Sequence, residues 1–346
     1  MPASFSKSLE NMKKIKIAII GTGYIADYHA RGLQALAHVE IVIAVDTRIE
    51  AAKKFAASYN IKEVETDAMS IVDRDDIDAV VLGVPNKFHA PYALEFLKNG
   101  KDVFLEKPMA MNSTEGREIM KVSGESNQLV MVGHMWRFDT EVNHIRKVVS
   151  SGKLGKIIKT KGFGIHENWG PSGWFTQKDL AGGGALADMG VHAIDTVRYI
   201  LNDPNPLTVY AQIGTHYGDY DVDDSGIIII GWDNGTTSII ESGWWQPHMD
   251  GPEAGTRLYG TSGYASLFPT FLKYKGEESI EEFKALLPAK TEHCDQVIYT
   301  GQMEHFVDCI RTRNQPSPGF KEGQVVLNIV DAAYLSSEKK EVISLV

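Results

Sequence analysis

The chain has 346 residues, 43% of them hydrophobic and 23% charged, with a formal net charge of −10. This length and balance fit one large or two ordinary globular domains, with ample chain for a core. The acidic balance argues against a nucleic-acid partner, which needs a basic face. Two cysteines, Cys294 and Cys309, are too few for a disulfide framework and show no C-x-x-C metal spacing.

The opening "MPASFSKSLENM" has no apolar run ahead of a small-residue cleavage site. A disordered lead-in over 1–12 is therefore expected, with no secretory signal and no membrane span, and so a cytoplasmic protein. From residue 13, short apolar runs alternate with helical patterns: "IKIAIIG", "EIVIAVD", "DAVVLGV", "DVFLEK" and "LVMVGH" are separated by stretches such as "EAAKKFAASY" and "APYALEFLKNG". Near-continuous apolar strands alternating with helices predict a doubly wound parallel sheet, a Rossmann domain over 13–133. The rhythm changes after Gly133. "GKIIKTKGFGI", "LTVYAQIGTHY", "SGIIIIGWDNGTTSIIESGWW" and "RLYGTSGYASLF" are longer strands, and the "DNG" at 233–235 is a hairpin signal. "KEGQVVLNIVDAAYLSSEKK" near the C-terminus has helical spacing. Residues 134–346 are thus read as a C-terminal α+β domain built on a large, mostly antiparallel open sheet, giving an α/β protein of two domains.

The strand "IKIAII" runs directly into "GTGYIA", placing Gly21, Gly23 and Ala26 in the G-x-G-x-x-G/A spacing between a strand and a helix. Gly21 allows the tight turn, Gly23 the approach of a pyrophosphate, and Ala26 the close packing of helix on strand. Tyr24 and Ile25 lie inside the same turn. Asp46 ends the second strand twenty residues past Ala26, where a carboxylate accepts hydrogen bonds from ribose hydroxyls and repels a 2′-phosphate. NAD is therefore favoured, with NADP possible because Arg48 partly offsets that repulsion.

"GTGYIA", "GVPNKFHAPYALEFLKNGKDVFLEKPM", "GHMWRF" and "GGGALADMGVHAID" together resemble the Gfo/Idh/MocA oxidoreductases, and the likeness covers the chain after Met12. The resemblance implies a Rossmann domain followed by an open-sheet domain. It further implies oxidation or reduction of a hydroxyl or keto carbon on a sugar, sugar derivative or cyclitol with NAD or NADP. It places Lys107, Asp188 and His192 at the nicotinamide and Pro85 and Asn86 along the cofactor. Glu106 stands beside Lys107, and His89 lies close to the same groove. Association through the outer face of the second sheet into a homodimer or homotetramer is also implied.

The chemistry suits these residues. Removal of a hydride from a carbinol requires removal of the hydroxyl proton, and histidine titrates in the useful range, so His192 is the expected general base. Lys107 would stabilise the alkoxide, or serve as the base if burial lowers its pKa. Asp188 would orient the substrate or fix the imidazole. On a helix over 186–201, Asp188, His192, Asp195 and Tyr199 form one polar stripe, read as the lining of a cavity rather than a solvated face. Gly182, Gly183 and Gly184 would let the backbone approach nicotinamide or sugar. No third ligand accompanies Asp188 and His192, so no metal is expected.

"HENWGPSGWF" at 166–175 offers His166, Trp169 and Trp174 either to a sugar ring or to loop packing. Arg137, in "GHMWRF", is expected to reach the substrate, as is Asp195. "GWWQPHMDG" at 243–251 is a second aromatic patch, its tryptophans at a strand end and offered either to the substrate or to a subunit interface. His29 and His134 are read as structural. Two rivals to the dehydrogenase are a non-catalytic, dinucleotide-sensing regulator of the same fold and a redox-neutral, NAD-dependent glycosidase.

Overall fold

The computed structural model describes residues 14–247, 252–282 and 295–346; the expected lead-in over 1–12 and Cys294 lie outside them. Six parallel strands open the chain: β1 (Ile15–Ile20), β2 (Val39–Val45), β3 (Glu63–Glu65), β4 (Ala79–Leu82), β5 (Asp102–Leu105) and β6 (Val130–Val132). Their order is β3-β2-β1-β4-β5-β6, the doubly wound arrangement. Every residue of β4 and β5 is buried, because α1 (Tyr24–Gln34), α2 (Ile49–Tyr59), α3 (His89–Lys98) and α4 (Ser113–Ser126) cover the faces. The short β3, with its glutamates exposed, has no apolar run of its own; pairing with β2 makes it a strand.

The chain leaves this sheet through α5 (Thr140–Ser150), whose first turn is capped by Asp139 accepting from the amides of Glu141 and Val142 at 2.7 and 3.0 Å. The second sheet has nine strands in the order β14-β13-β12-β11-β7-β10-β9-β8-β15. They are β7 (Ile157–Glu167), β8 (Pro206–Gly214), β9 (Ser225–Trp232), β10 (Thr237–Gln246), β11 (Ala254–Gly260), β12 (Gly263–Leu267), β13 (Phe271–Tyr274), β14 (Glu281–Glu282) and β15 (Ile343–Ser344). β7 and β10 pair in parallel; the other pairings of this sheet are antiparallel. The "DNG" turn joins β9 to β10 with Ile228 opposite Ile240.

The short α6 (Lys178–Ala181) precedes a π-helical turn, Leu186–Gly190, that continues directly into α7 (Val191–Ile200). Leu186, Ala193 and Val197 from this segment share one core with Ile228 and Ile240 of the sheet. The long α9 (Phe320–Lys339) adds Ile329 and Val330 to it. Burying each such side chain is worth roughly 1.5–3 kcal/mol. The opposite sheet face exposes Ile158, Ile227 and Ile229.

One helix crosses back. In α8 (Gln296–Thr312), Met303, Phe306 and Val307 join the core of the first domain with Ile17, Ala30 and Leu33. A single division after Gly133 assigns α8 to the second domain by sequence; its apolar face packs on the first. Among the described residues no helix is long and apolar enough to cross a membrane.

Candidate active site

The nucleotide turn follows from its glycines. Gly21 has φ +86°, and a Cβ there would lie 2.3 Å from the Gly83 carbonyl oxygen, so the close approach of the turns that follow the parallel neighbours β1 and β4 requires glycine. Gly23 caps α1 without a side-chain hydrogen bond, and the space where its Cβ would stand is open to 4 Å. Uncapped amides at a helix N-terminus facing open space form a phosphate cradle. Ala26 is fully buried at the packing of α1 on the sheet.

Asp46 reaches back over this turn. Its Oδ2 accepts from the amide and hydroxyl of Thr22 at 3.1 and 2.9 Å, and its Oδ1 from the amide and Nε of Arg48 at 2.9 and 3.2 Å. Burial pushes this carboxyl up, but the bonds from Arg48 and Thr22 outweigh it and hold the pKa below its ordinary 3.8. The Arg48 side chain is 74% exposed, so a ribose hydroxyl can displace its Nε. Phosphate cradle and ribose acceptor together fit NAD.

β5 ends by delivering Glu106 and Lys107 to the carboxyl edge of the parallel sheet, beside the switch point between β1 and β4. Glu106 turns inward, 2.8 Å from His29 Nε2, and accepts from the Lys107 amide at 3.1 Å. Burial raises its pKa, yet His29 and Lys107 more than reverse this. Lys107 turns outward across the domain boundary: Nζ donates to Asp188 Oδ1 at 2.8 Å and to the Asp188 carbonyl at 3.1 Å. The Trp244 indole donates to Asp188 Oδ2 at 3.1 Å, and His166 Nε2 lies 3.7 Å from the same oxygen. Burial alone would raise the Asp188 carboxyl; Lys107 and His166 hold it well below the usual carboxylate range.

The contacts of Asp188 thus run to Lys107, Trp244 and His166 rather than to the His192 imidazole. Asp188 sits in the π turn, which is wider than an α-turn, and of the two roles expected for it, its hydrogen bonds do not serve the imidazole. His192 lies against Trp136 instead, ring centroids 5.3 Å apart. Burial, with the Lys107 charge second, pushes the His192 pKa well below 6.5, leaving a neutral imidazole at the cavity wall.

The triple glycine has a different cause from the one expected. Asp223 accepts from the amides of Gly184 and Leu186, both at 2.8 Å, and from the Tyr334 hydroxyl at 2.6 Å. A Cβ on Gly184 would stand 1.8 Å from the Asp223 carbonyl oxygen. The run makes room for this buried carboxylate and its tyrosine, which fix the loop ahead of Asp188.

The cavity between the domains has a volume of about 1280 Å³. Tyr24, Ile25, Asn86, His89, Glu106 and Lys107 reach it from the Rossmann side; His166, Trp169, Trp174, Asp188 and His192 reach it from the other. Asn86 also ties the domains together, its Nδ2 donating to the Ala181 carbonyl at 2.8 Å. Pro85 caps the 3-10 turn that carries Asn86. His89 is buried, its ring nitrogens 2.8 and 3.0 Å from the Pro108 and Val84 carbonyls; burial lowers its pKa.

Two expected substrate contacts are absent from this lining. Arg137 and Asp195 pair with each other through Nε–Oδ2 at 2.8 Å and Nη2–Oδ1 at 2.7 Å, with the Arg137 side chain 2% exposed. Asp203 adds a second carboxylate at 3.0 Å, and the Tyr199 ring lies 4.7 Å from the guanidinium carbon. The lower half of the predicted polar stripe is therefore a structural ion-pair knot. A charged group so deep is paid for by paired charges, not by a transient ligand.

Several lining groups carry no clear sequence signal. Trp136 sits inside "GHMWRF", which draws attention to its arginine instead. Of the tryptophans that the sequence offers to substrate or interface, Trp244 is fully buried under Asp188 and Trp245 is exposed; residues 248–251 of that patch lie outside the described residues. Glu141, Glu253 and Phe268 come from three separate segments that only folding brings together. Among the described residues no group of three or more His, Cys, Asp or Glu is arranged to hold a metal ion.

Comparison with known proteins identifies the family and the fold. Residues 15–134 match the family model described as "Oxidoreductase family, NAD-binding Rossmann fold". Residues 142–266 match the GFO/IDH/MocA C-terminal domain. D-glucoside 3-dehydrogenase of Escherichia coli (strain K12) is 28% identical over 349 residues, spanning 96% of this chain and 98% of that protein. The scyllo-inositol 2-dehydrogenase (NAD(+)) of Bacillus subtilis (strain 168) is 24% identical over 88% of each chain. Levoglucosan dehydrogenase, solved in complex with NADH and levoglucosan, superposes with a TM-score of 0.87 at 22% identity, covering 96% of this chain and 100% of that one.

Proposed function

Since the chain belongs to the Gfo/Idh/MocA family of NAD-binding oxidoreductases, we propose that it transfers a hydride between NAD and a ring hydroxyl carbon of a sugar, sugar derivative or cyclitol. The observation that carries this reading is the Lys107–Asp188 pair, 2.8 Å apart at the carboxyl edge of the parallel sheet, with the neutral His192 on the same cavity. NAD, when bound, supplies the hydride acceptor. His192 takes the proton of the substrate hydroxyl. Lys107 holds that oxygen and stabilises the negative charge that develops on it. Asp188 stays ionised, keeps Lys107 directed at the cavity, and is itself kept in place by Trp244. The lysine-as-base alternative has less support, because Lys107 already donates to two oxygens of Asp188.

Asp46 supports a preference for NAD over NADP. The apolar outer sheet face, with Ile229 beside Ile239 and Tyr210 across the strands, supports a homodimer or homotetramer through that face. The buried free thiol of Cys309 suits a reducing cytoplasm. The regulator and glycosidase readings are not favoured, since the named relatives are dehydrogenases.

The test is NADH formation over a panel of hexoses, glycosides and inositols by the wild type, Lys107→Ala and His192→Ala. Turnover that both substitutions abolish, with NAD binding retained, is the expected result. Tight NAD binding with no turnover in either direction on any compound would overturn the dehydrogenase.

A further inference from the structure

Further carboxylates line the cavity. Glu141 enters from the first turn of α5, Glu253 from the segment before β11, and Asp295 from the residue that caps α8. Among the described lining residues Lys107 is the only lysine or arginine, and Asp188 already matches its charge. The two glutamates are held in position: the Thr270 hydroxyl donates to Glu141, and the Trp169 indole donates to Glu253, whose other oxygen lies 3.4 Å from His166 Nδ1. Two stacked aromatic pairs line the same cavity. Trp169 stacks on His166 with centroids 3.6 Å apart, and Trp174 on Phe175 at 3.8 Å.

Such a chamber treats ligands unequally. Aromatic faces receive the apolar C–H face of a pyranose ring, and carboxylates accept hydrogen bonds from its hydroxyls. An anionic substituent meets the same carboxylates as like charges and, among the described lining residues, finds no lysine or arginine beyond the Lys107 that Asp188 already matches. Discrimination of this kind works by repulsion as much as by attraction.

We infer that the substrate is an uncharged pyranose or pyranoside, and that Glu141 and Glu253 exclude uronates and sugar phosphates from the site. This rests on the reading of the cavity as a sugar dehydrogenase site. The experiment compares matched pairs on the NAD-loaded enzyme: glucose with glucuronate, galactose with galacturonate, and glucose with glucose 6-phosphate. Binding is followed by calorimetry and hydride transfer by NADH absorbance.

Each neutral member should bind about tenfold or more tightly than its anionic partner. The gap should narrow in Glu141→Gln and Glu253→Gln, which keep shape and hydrogen bonding, and shrink with added salt. An anion bound as tightly as its parent, a gap unchanged in both variants, or no binding by any pair would overturn the inference. Preferential binding of neutral sugars without NADH from any of them would leave the inference standing and sink the dehydrogenase reading instead.

Discussion

The Tyr334 hydroxyl donates to Asp223 Oδ1 at 2.6 Å across 111 residues of sequence, and through that carboxylate it fixes the loop that presents Asp188. Asp223 is buried, and burial pushes its carboxyl up against the pull of its donors. Tyr334→Phe therefore takes the tyrosine donor away from a buried acceptor, at a cost of roughly 1–3 kcal/mol. Urea unfolding should register that loss. Turnover should fall with it while NAD affinity, carried by the Gly21–Gly23 turn and Asp46, holds. An unchanged unfolding midpoint and unchanged kcat would remove Tyr334 from any positioning role.

The Arg137–Asp195 pair carries the opposite expectation. Removing one member leaves the other charge buried, which costs about 3–5 kcal/mol. Arg137→Met should lower the melting temperature sharply. Arg137→Lys should recover little of it, since a lysine cannot make the two parallel bonds of the guanidinium. Substrate KM in whatever folded enzyme remains should stay near wild type; a selective rise in KM would return these residues to the substrate site.

At the nucleotide end, Asp46→Ala should weaken NAD by ~1.5–3 kcal/mol, the worth of hydrogen bonds to a charged acceptor. It should improve the relative use of NADP, with Arg48 now free to face a 2′-phosphate. Equal loss for both cofactors would show that Asp46 only shapes the turn through Thr22.

His89, His134 and His192 are all held below 6.5 by burial. The unfolded chain takes up their protons as pH falls through about 6.5, while the folded chain resists until lower pH. Their effect is a stability that is full above that value and declines below it. Asp188, Asp195 and Glu106, with depressed carboxyls, add stability that persists above about pH 4.5 and is lost as pH falls through their folded values. Asp223 works the other way, contributing most below 3.8 and losing that as pH rises through its raised value. Between about pH 7.5 and 6 the histidines govern, so the urea midpoint should fall on acidification. A flat or rising midpoint over that range would contradict the burial of neutral imidazoles.

The same depression has a kinetic consequence. A base that stays neutral well below 6.5 keeps its proton-accepting form through mild acid. The acid limb of kcat/KM for oxidation should therefore lie well below 6.5, and vanish in His192→Ala together with the activity. An acid limb at or above 6.5 would assign the base elsewhere.

Local rules made much of this legible from sequence. The turn at Gly21 and Gly23, Asp46 at a strand end, and the alternation that builds the parallel sheet are written within short windows. Period and turn chemistry act over a few residues, so one chain suffices to read them. The π turn at Leu186–Gly190 was not legible, because nothing in "LADMG" distinguishes it from an α-turn; its packing between β7 and β10 does. Nor was the fate of the stripe Asp188, His192, Asp195 and Tyr199. Sequence alone determined that these polar groups share a helix. Only the tertiary structure decided that Lys107 and Trp244 take Asp188, that Arg137 takes Asp195, and that His192 is left to the cavity. A buried polar group must find its partner wherever the fold brings one, and those partners lie tens of residues away in the chain.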